Sequence, residues 1–348
     1  MTITPSAPAR AHAGTAPTPP LVDRFGRVHT DLRISLTDRC SLRCTYCMPA
    51  QGVEWLPNAS ILTATEIERI AAVCAAAGVT TFRLTGGEPL VRGDVVDVVR
   101  RLAALRGPSG ERVEVAMTTN GIRLDALHDD LVEAGLDRLN ISLDTLRPER
   151  FAALTRRDRL ADVLRGIEAA ARGPLRPLKL NAVAMRGVND DELVDLVELA
   201  TGLGAQMRFI EQMPLDAGHT WDRARMVTRE EILEALATRW SLTPVPGRGH
   251  APAERFLLDG GPATVGVIAA VTAPFCAGCD RLRLTADGQL RNCLFAKDEL
   301  DLAAVLRGGD DAAIDARLRA SVAAKLPGHG INDPGFLQPA RGMNAIGG

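Results

Sequence analysis

Leu32-Arg-Ile-Ser-Leu-Thr-Asp-Arg-Cys-Ser-Leu-Arg-Cys-Thr-Tyr-Cys47 joins an apolar-rich strand candidate, residues 32–36, to three cysteines within eight residues. Three residues separate Cys40 from Cys44, and two separate Cys44 from Cys47. Soft, anionic thiolates at this spacing suit iron and sulfide, so the run reads as the loop of an iron–sulfur cluster. A four-iron cluster held by three cysteines keeps one iron open to a substrate or cofactor. A fourth cysteine would close it for electron transfer. Structural zinc wants four protein ligands, and the local run offers no His and no further Cys. Seven cysteines, an odd number, in a long chain without a secretory signal argue for a reducing compartment rather than a disulfide framework.

Beyond the loop the chain settles into a strand and helix rhythm. Thr63-Ala-Thr-Glu66 is a capping box, and Ile67, Ile70, Ala71, Cys74 and Ala77 follow at helical spacing, which places Cys74 in the core. Residues 79–85 form the next strand candidate and end at Gly86-Gly-Glu-Pro89. Val95, Val98, Val99 and Leu102 mark a helix, and a strand over 113–117 ends in Thr118-Thr-Asn-Gly121. Helices over 124–134, 160–171 and 191–203 alternate with strands over 136–143, 178–184 and 206–211. About six such units predict a parallel sheet of the α/β class. Six are fewer than the eight of a closed barrel, so the expectation is a partial (β/α)6 TIM-like barrel, with a doubly wound open sheet as the alternative. In either fold ligands bind beyond the carboxyl ends of the strands. There the sequence gathers the cysteine loop, Gly86 to Glu88, Thr118 to Asn120, Ser142 with Asp144, and Glu211 to Met213.

The remaining composition is that of a soluble globular protein, 46% hydrophobic and 24% charged. A net charge of -2 predicts no general nucleic-acid binding, and no run approaches the roughly 20 apolar residues of a membrane span. A cytoplasmic location follows as an expectation. Lys179, Lys297 and Lys325 are the only lysines in an Arg-rich chain, so a retained lysine carries more information than any single arginine. Residues 1–24 read as a disordered Ala/Pro/Thr-rich tail, 25–245 as the barrel, and 246–348 as a smaller region. That region is β-rich to residue 290, with helices over 298–306 and 311–325, and is expected to close the open side of the barrel.

A second trio stands in the smaller region. Cys276 and Cys279 are two residues apart, Cys293 follows after thirteen more, and Arg281 and Arg283 alternate on a short strand candidate. Both guanidiniums would then share one face beside a metal, an arrangement that suits a polyphosphate. A Cys-x-x-Cys pair also opens zinc hairpins, with His250 and His329 the nearest further ligands. Taken alone, the trio is as readily zinc as cluster. Beside a first three-cysteine loop, a second open cluster is the better reading. Arg33, Arg83 and Lys179 fall inside apolar strands, where a long cation needs a partner or a polar cavity.

The first trio, with an aromatic before its third cysteine, resembles the signature of radical S-adenosylmethionine enzymes. Both trios together, with Thr-Gly-Gly-Glu-Pro at 85–89, Arg-x-Arg and a terminal Ile-Gly-Gly, closely resemble the GTP 3′,8-cyclase family of molybdenum cofactor biosynthesis over about residues 25–348. The resemblance implies two [4Fe-4S] clusters, one on each trio, and S-adenosylmethionine chelated at the open iron of the first. A deoxyadenosyl radical would take the 3′ hydrogen of GTP, and attack on C8 would give 3′,8-cyclo-7,8-dihydro-GTP. It places Tyr46, Gly87, Ser142 and Met213 against S-adenosylmethionine. It places Arg33, Arg83, Thr118, Lys179, Arg281, Leu282 and Arg283 against GTP, with Arg208 as a further candidate. Arg281, Arg283, Gly347 and Gly348 are carried as catalytic, the last two on a tail that reaches the site. Implied partners are an electron donor such as flavodoxin or ferredoxin and, by product handover, a cyclic pyranopterin monophosphate synthase. A homodimer is expected, and neither nucleic acid nor membrane. The alternative within radical chemistry is a peptide-modifying enzyme with an auxiliary cluster; such enzymes commonly carry more cysteines than these three. A two-cluster electron carrier and a zinc-stabilised binding module complete the rivals.

Overall fold

A computed structural model of the chain describes residues 18–216 and 218–347. Its strands are β1 (Asp31–Ser35), β2 (Thr81–Thr85), β3 (Glu114–Thr119), β4 (Arg138–Ser142), β5 (Lys179–Ala184), β6 (Gln206–Glu211), β7 (Leu242–Pro244), β8 (Glu254–Leu258), β9 (Thr264–Ile268), β10 (Arg281–Leu284), β11 (Gln289–Arg291) and β12 (Leu300–Asp301). Helices are α1 (Ala64–Ala76), α2 (Val95–Ala103), α3 (Leu124–Glu133), α4 (Pro148–Thr155), α5 (Leu160–Arg172), α6 (Leu193–Gly202), α7 (Arg229–Ala237), α8 (Ala303–Arg307), α9 (Asp311–Ala323) and α10 (Met343–Ile346). The expected capping box starts α1: Glu66 N donates to Thr63 Oγ1 at 3.2 Å and Thr63 N to Glu66 Oε2 at 2.8 Å. Cys74 is fully buried on the same helix.

All twelve strands form one sheet in the order β12-β11-β10-β1-β2-β3-β4-β5-β6-β9-β8-β7. From β1 to β6 neighbours follow in chain order and every pair is parallel. A doubly wound sheet requires a point where strand order reverses, and none occurs across these six, so the fold is the partial (β/α)6 barrel. Residues from 246 onward make no separate sheet. They extend the barrel at both edges: β9 adds parallel to β6 and β10 adds parallel to β1, each followed outward by antiparallel strands. The helix expected over 298–306 is shorter, because residues 300–301 first pair with β11 as β12.

Residues 18–24 also depart from the expected tail. Leu21 is 1% exposed, Val22 bridges Val28, and buried Asp23 accepts the backbone amides of Phe25 and Arg27, so the packed chain begins before residue 25.

Period-two alternation decides what faces what. Leu32, Ile34, Phe82, Leu84, Val115, Met117, Leu139, Ile141, Leu180, Met207 and Phe209 are all fully buried in the apolar core. The residues between them, including Arg33, Arg83, Thr118, Asn140, Asn181 and Arg208, point into a cavity inside the barrel. Among the described residues no helix is long and apolar enough to cross a membrane.

Candidate functional site

The cavity is about 470 Å³, within the range of about 300–1,000 Å³ usual for small-molecule sites, and Cys40, Cys44, Tyr46 and Cys47 form one wall. Several contacts fix that loop. Cys47 N and Met48 N donate to Cys44 O, and Arg43 N and Thr45 N dock on the carbonyls of Thr155 and Leu154 at the end of α4. Leu42 N lies 3.4 Å and Asn120 Nδ2 3.9 Å from Cys40 Sγ. Burial pushes Cys40 up to about 11 and Cys47 to about 12, and Cys44 well up, so a metal must displace their protons.

Gly86-Gly-Glu-Pro89 braces the loop from the next strand end. Gly87 N donates to Thr37 O at 2.7 Å and Glu88 N to Arg39 O at 2.8 Å. A Cβ on Gly87 would strike the Arg39 and Asp38 carbonyl oxygens, the latter at 2.5 Å. The glycine is therefore required by the cysteine loop's own backbone. Glu88, 2% exposed, accepts from Thr119 Oγ1, Asn120 N and Leu90 N, and so ties two strand ends together rather than offering a free acid.

Tyr46 and Ser142 both line the cavity. Tyr46 Oη donates to Asp144 Oδ2 at 2.7 Å, Val183 N donates to Asp144 Oδ1 at 2.8 Å, and burial raises Asp144 to about 6. Met213 also lines the cavity, against a small apolar cluster that includes Met226 and Phe295.

The floor is cationic. Arg281, Arg283, Arg33, Arg83, Lys179 and Arg208 line it, with Arg138 beside them. Arg33 Nε, Arg83 Nη1 and Arg281 Nη2 are buried without a hydrogen-bond partner, as are Asp31 Oδ1, Asn140 Oδ1 and Asn181 Oδ1. Burial, then neighbouring guanidiniums, pushes Arg283 and Arg208 down to about 10 and Lys179 to about 7, and drives Arg33 well below its ordinary range. Buried polar groups are nearly always paired, so orphaned N–H groups converging on one cavity call for an anion. Leu282 is the exception among the expected substrate residues. Alternation turns its side chain into the apolar core, fully buried, between two inward arginines.

The second trio itself does not line the cavity. Phe275, Asp280, Arg281 and Leu294, its chain neighbours, line the cavity, and Arg281 stacks 4.8 Å from the Phe275 ring centroid. Burial raises Cys276; Cys279, although burial opposes it, is drawn down to about 7 by Arg281 and Lys325. Of the possible zinc ligands, His329 is committed, with Nε2 to Ala270 O at 3.0 Å and Nδ1 accepting from Ile331 N at 3.1 Å. His250 uses Nδ1 on Gly278 O at 2.7 Å.

The C-terminal segment enters the barrel mouth. Asn344 Nδ2 donates to Asp38 O at 3.2 Å, and Arg283 Nη1 donates to Gly347 O. Gly347 has φ +79°, and a Cβ there would collide with Ser35 Oγ and stand 2.8 Å from Thr85 Cγ2. Gly348 lies outside the described residues.

Both trios suit iron–sulfur clusters by donor chemistry. All six thiols are free and partly buried, and N–H donors face Cys40 and Cys279 sulfurs. Among the described residues no three His, Cys, Asp or Glu side chains close around a single ion.

Comparison with known proteins places one cysteine trio in each of two family matches. Residues 34–200 match the radical SAM superfamily and residues 205–331 match Molybdenum Cofactor Synthesis C. A GTP 3′,8-cyclase of Mycobacterium sp. (strain KMS) is 53% identical over 354 aligned residues, covering 100% of both chains. One from Streptomyces coelicolor is 53% identical, covering 94% of this chain and 96% of its own. Among solved structures, Streptococcus suis SuiB bound to S-adenosylmethionine aligns with a TM-score of 0.57 at 14% identity, over 83% of this chain and 67% of that one. SuiB bound to precursor peptide SuiA gives 0.59 at 13%, over 87% and 69%. These two likenesses are of fold alone.

Proposed function

The chain belongs to the GTP 3′,8-cyclases, radical S-adenosylmethionine enzymes that convert GTP to 3′,8-cyclo-7,8-dihydro-GTP at the start of molybdenum cofactor biosynthesis, and on that premise we propose how its residues divide the reaction. Cys40, Cys44 and Cys47 hold the [4Fe-4S] cluster. When bound, that cluster and S-adenosylmethionine supply the hydrogen-abstracting chemistry. Tyr46, fixed by Asp144, the Gly87 backbone, Ser142 and Met213 orient S-adenosylmethionine at the strand ends. Arg33, Arg83, Lys179, Arg208, Arg281 and Arg283 take the triphosphate, and Thr118 lies beside them. Cys276, Cys279 and Cys293 hold a second cluster, which supplies a Lewis-acidic position for the guanine. The observation that carries this division is the set of orphaned, buried guanidinium N–H groups facing a cavity walled by the first thiols.

The enclosing barrel and the tail at its mouth keep water from the reacting sugar, and Arg281 and Arg283 hold the nucleotide from the cluster side. Gly347 closes the site through Arg283, and Gly348 follows it. An external one-electron donor of the flavodoxin or ferredoxin kind, product handover to a cyclic pyranopterin monophosphate synthase, and pairing of two chains belong to the same proposal, supported by family membership. No specific observation favours peptide modification.

Anaerobic reconstitution tests the division. Iron is counted per chain, and deoxyadenosine and the GTP-derived product are followed with dithionite, S-adenosylmethionine and GTP. About eight irons per chain and coupled formation of both products are expected. Zinc in place of iron, or deoxyadenosine without GTP consumption, would overturn it. Cys293→Ala should lose the second cluster and keep slow cleavage of S-adenosylmethionine.

A further inference from the structure

Lys325 follows α9, is 3% exposed, and lines neither the nucleotide cavity nor the first trio. Its ammonium donates to Arg281 O at 2.7 Å and reaches Cys279 Sγ at 3.7 Å. The surrounding backbone is pinned from the other end of the chain. Arg27 donates to Cys276 O and to Leu326 O, each at 2.8 Å, and Asp23 grips that guanidinium at 2.5 Å. One N-terminal turn thus anchors both a cysteine of the second trio and the residue after Lys325. A buried cation left without partners is costly, so the position of Lys325 is set by the two acceptors it serves. An ammonium suits them because it is a compact charge whose rotatable donors can divide between a carbonyl and a sulfur; a guanidinium in its place keeps the charge and N–H donors in a less fitted shape.

We propose that Lys325 is the positioning residue of the second cysteine trio, orienting Cys279 through an N–H···S hydrogen bond and setting the charge around the iron–sulfur cluster that this trio binds. The inference rests on the second-cluster reading above. Hydrogen bonds to cluster sulfurs and nearby charge set reduction potential, and a cation favours the reduced, more negative form. Loss of the lysine therefore shifts the potential downward.

The test uses the full chain carrying Cys40→Ser, Cys44→Ser and Cys47→Ser, so that any iron belongs to the second trio. Iron content and the midpoint potential by redox titration with EPR are compared for this background alone, with Lys325→Met, and with Lys325→Arg. About four irons in the background, a lower midpoint with Lys325→Met and a return toward the starting value with Lys325→Arg are expected. Failure of Lys325→Met to assemble a cluster supports the proposal if Lys325→Arg assembles one. An unchanged midpoint in Lys325→Met overturns it, and so does loss of the cluster in both variants. A background chain that binds no iron overturns the second-cluster reading itself, and this inference with it.

Discussion

Arg33 and Arg283 are Cα partners on neighbouring parallel strands, so both guanidiniums leave the sheet on the same face, into the cavity floor. The row continues to Arg83 on β2 and to Arg291 on β11, although Arg291 is neutralised by Glu299. Like charges opposite one another are destabilising, and here the fold holds them buried. Arg33→Met should stabilise the nucleotide-free protein by about 1 kcal/mol and weaken GTP binding roughly 10- to 100-fold. Melting with and without GTP measures both. A lower melting temperature with unchanged GTP affinity would make Arg33 a structural residue.

Lys179 contributes a pH dependence. Burial first, then Arg208, Arg138 and Arg83, lower it from 10.5 to about 7. Between those values the unfolded chain binds a proton at Lys179 that the folded protein lacks, so the contribution of Lys179 to stability rises with pH across the window and is flat on either side of it. Triphosphate beside the amine reverses the preference, so GTP binding near pH ~8 should take up a proton. Calorimetric titration without S-adenosylmethionine, in two buffers of different ionisation enthalpy, reads that uptake directly. Lys179→Met should abolish it. Equal heats in both buffers for the unmodified protein would remove Lys179 from the phosphate site.

Gly87→Ala tests the bracing of the cysteine loop. Its Cβ meets backbone carbonyls, which cannot rotate aside as a side chain would. A cost of about 1–3 kcal/mol is expected, with loss of iron from the first trio while the second retains its own. Full iron content and an unchanged melting temperature would show that the loop has room.

The sequence showed the six barrel strands because each is a local apolar run closed by polar or glycine residues, and both the cysteine loop and the α1 capping box are contiguous. Pairing of β10 with β1 and of β9 with β6 was not legible, since register between segments far apart in the chain leaves no local period. Helix α4 is only two turns long, too short for its periodicity to register. The site residues overlooked have a common signal. Asp31 lies two residues from Arg33, Asn140 two from Ser142, and Asn181 two from Lys179, so extending each recognised residue along its strand by the period of two would have found them. The same rule turns the Leu282 side chain away from the cavity. Arg27 and Lys325 act through backbone carbonyls brought together only by folding, and no spacing announces them.

The C-terminal segment separates binding from turnover. Arg283 Nη1 donates to Gly347 O while the same guanidinium lines the cavity, so a triphosphate held there would compete with the tail for that cation or share it. Deleting residues 347–348 releases Arg283 without removing any phosphate-binding side chain. GTP affinity should then hold or improve, both clusters should remain, and turnover should fall by about 100-fold or more because the nucleotide is no longer held in register. Gly347→Ala, whose Cβ must displace Ser35 or Thr85, should give an intermediate loss. A KM increase with kcat unchanged would instead mean that the tail only helps to bind GTP. Full activity of the truncated chain would show that Arg283 works without it.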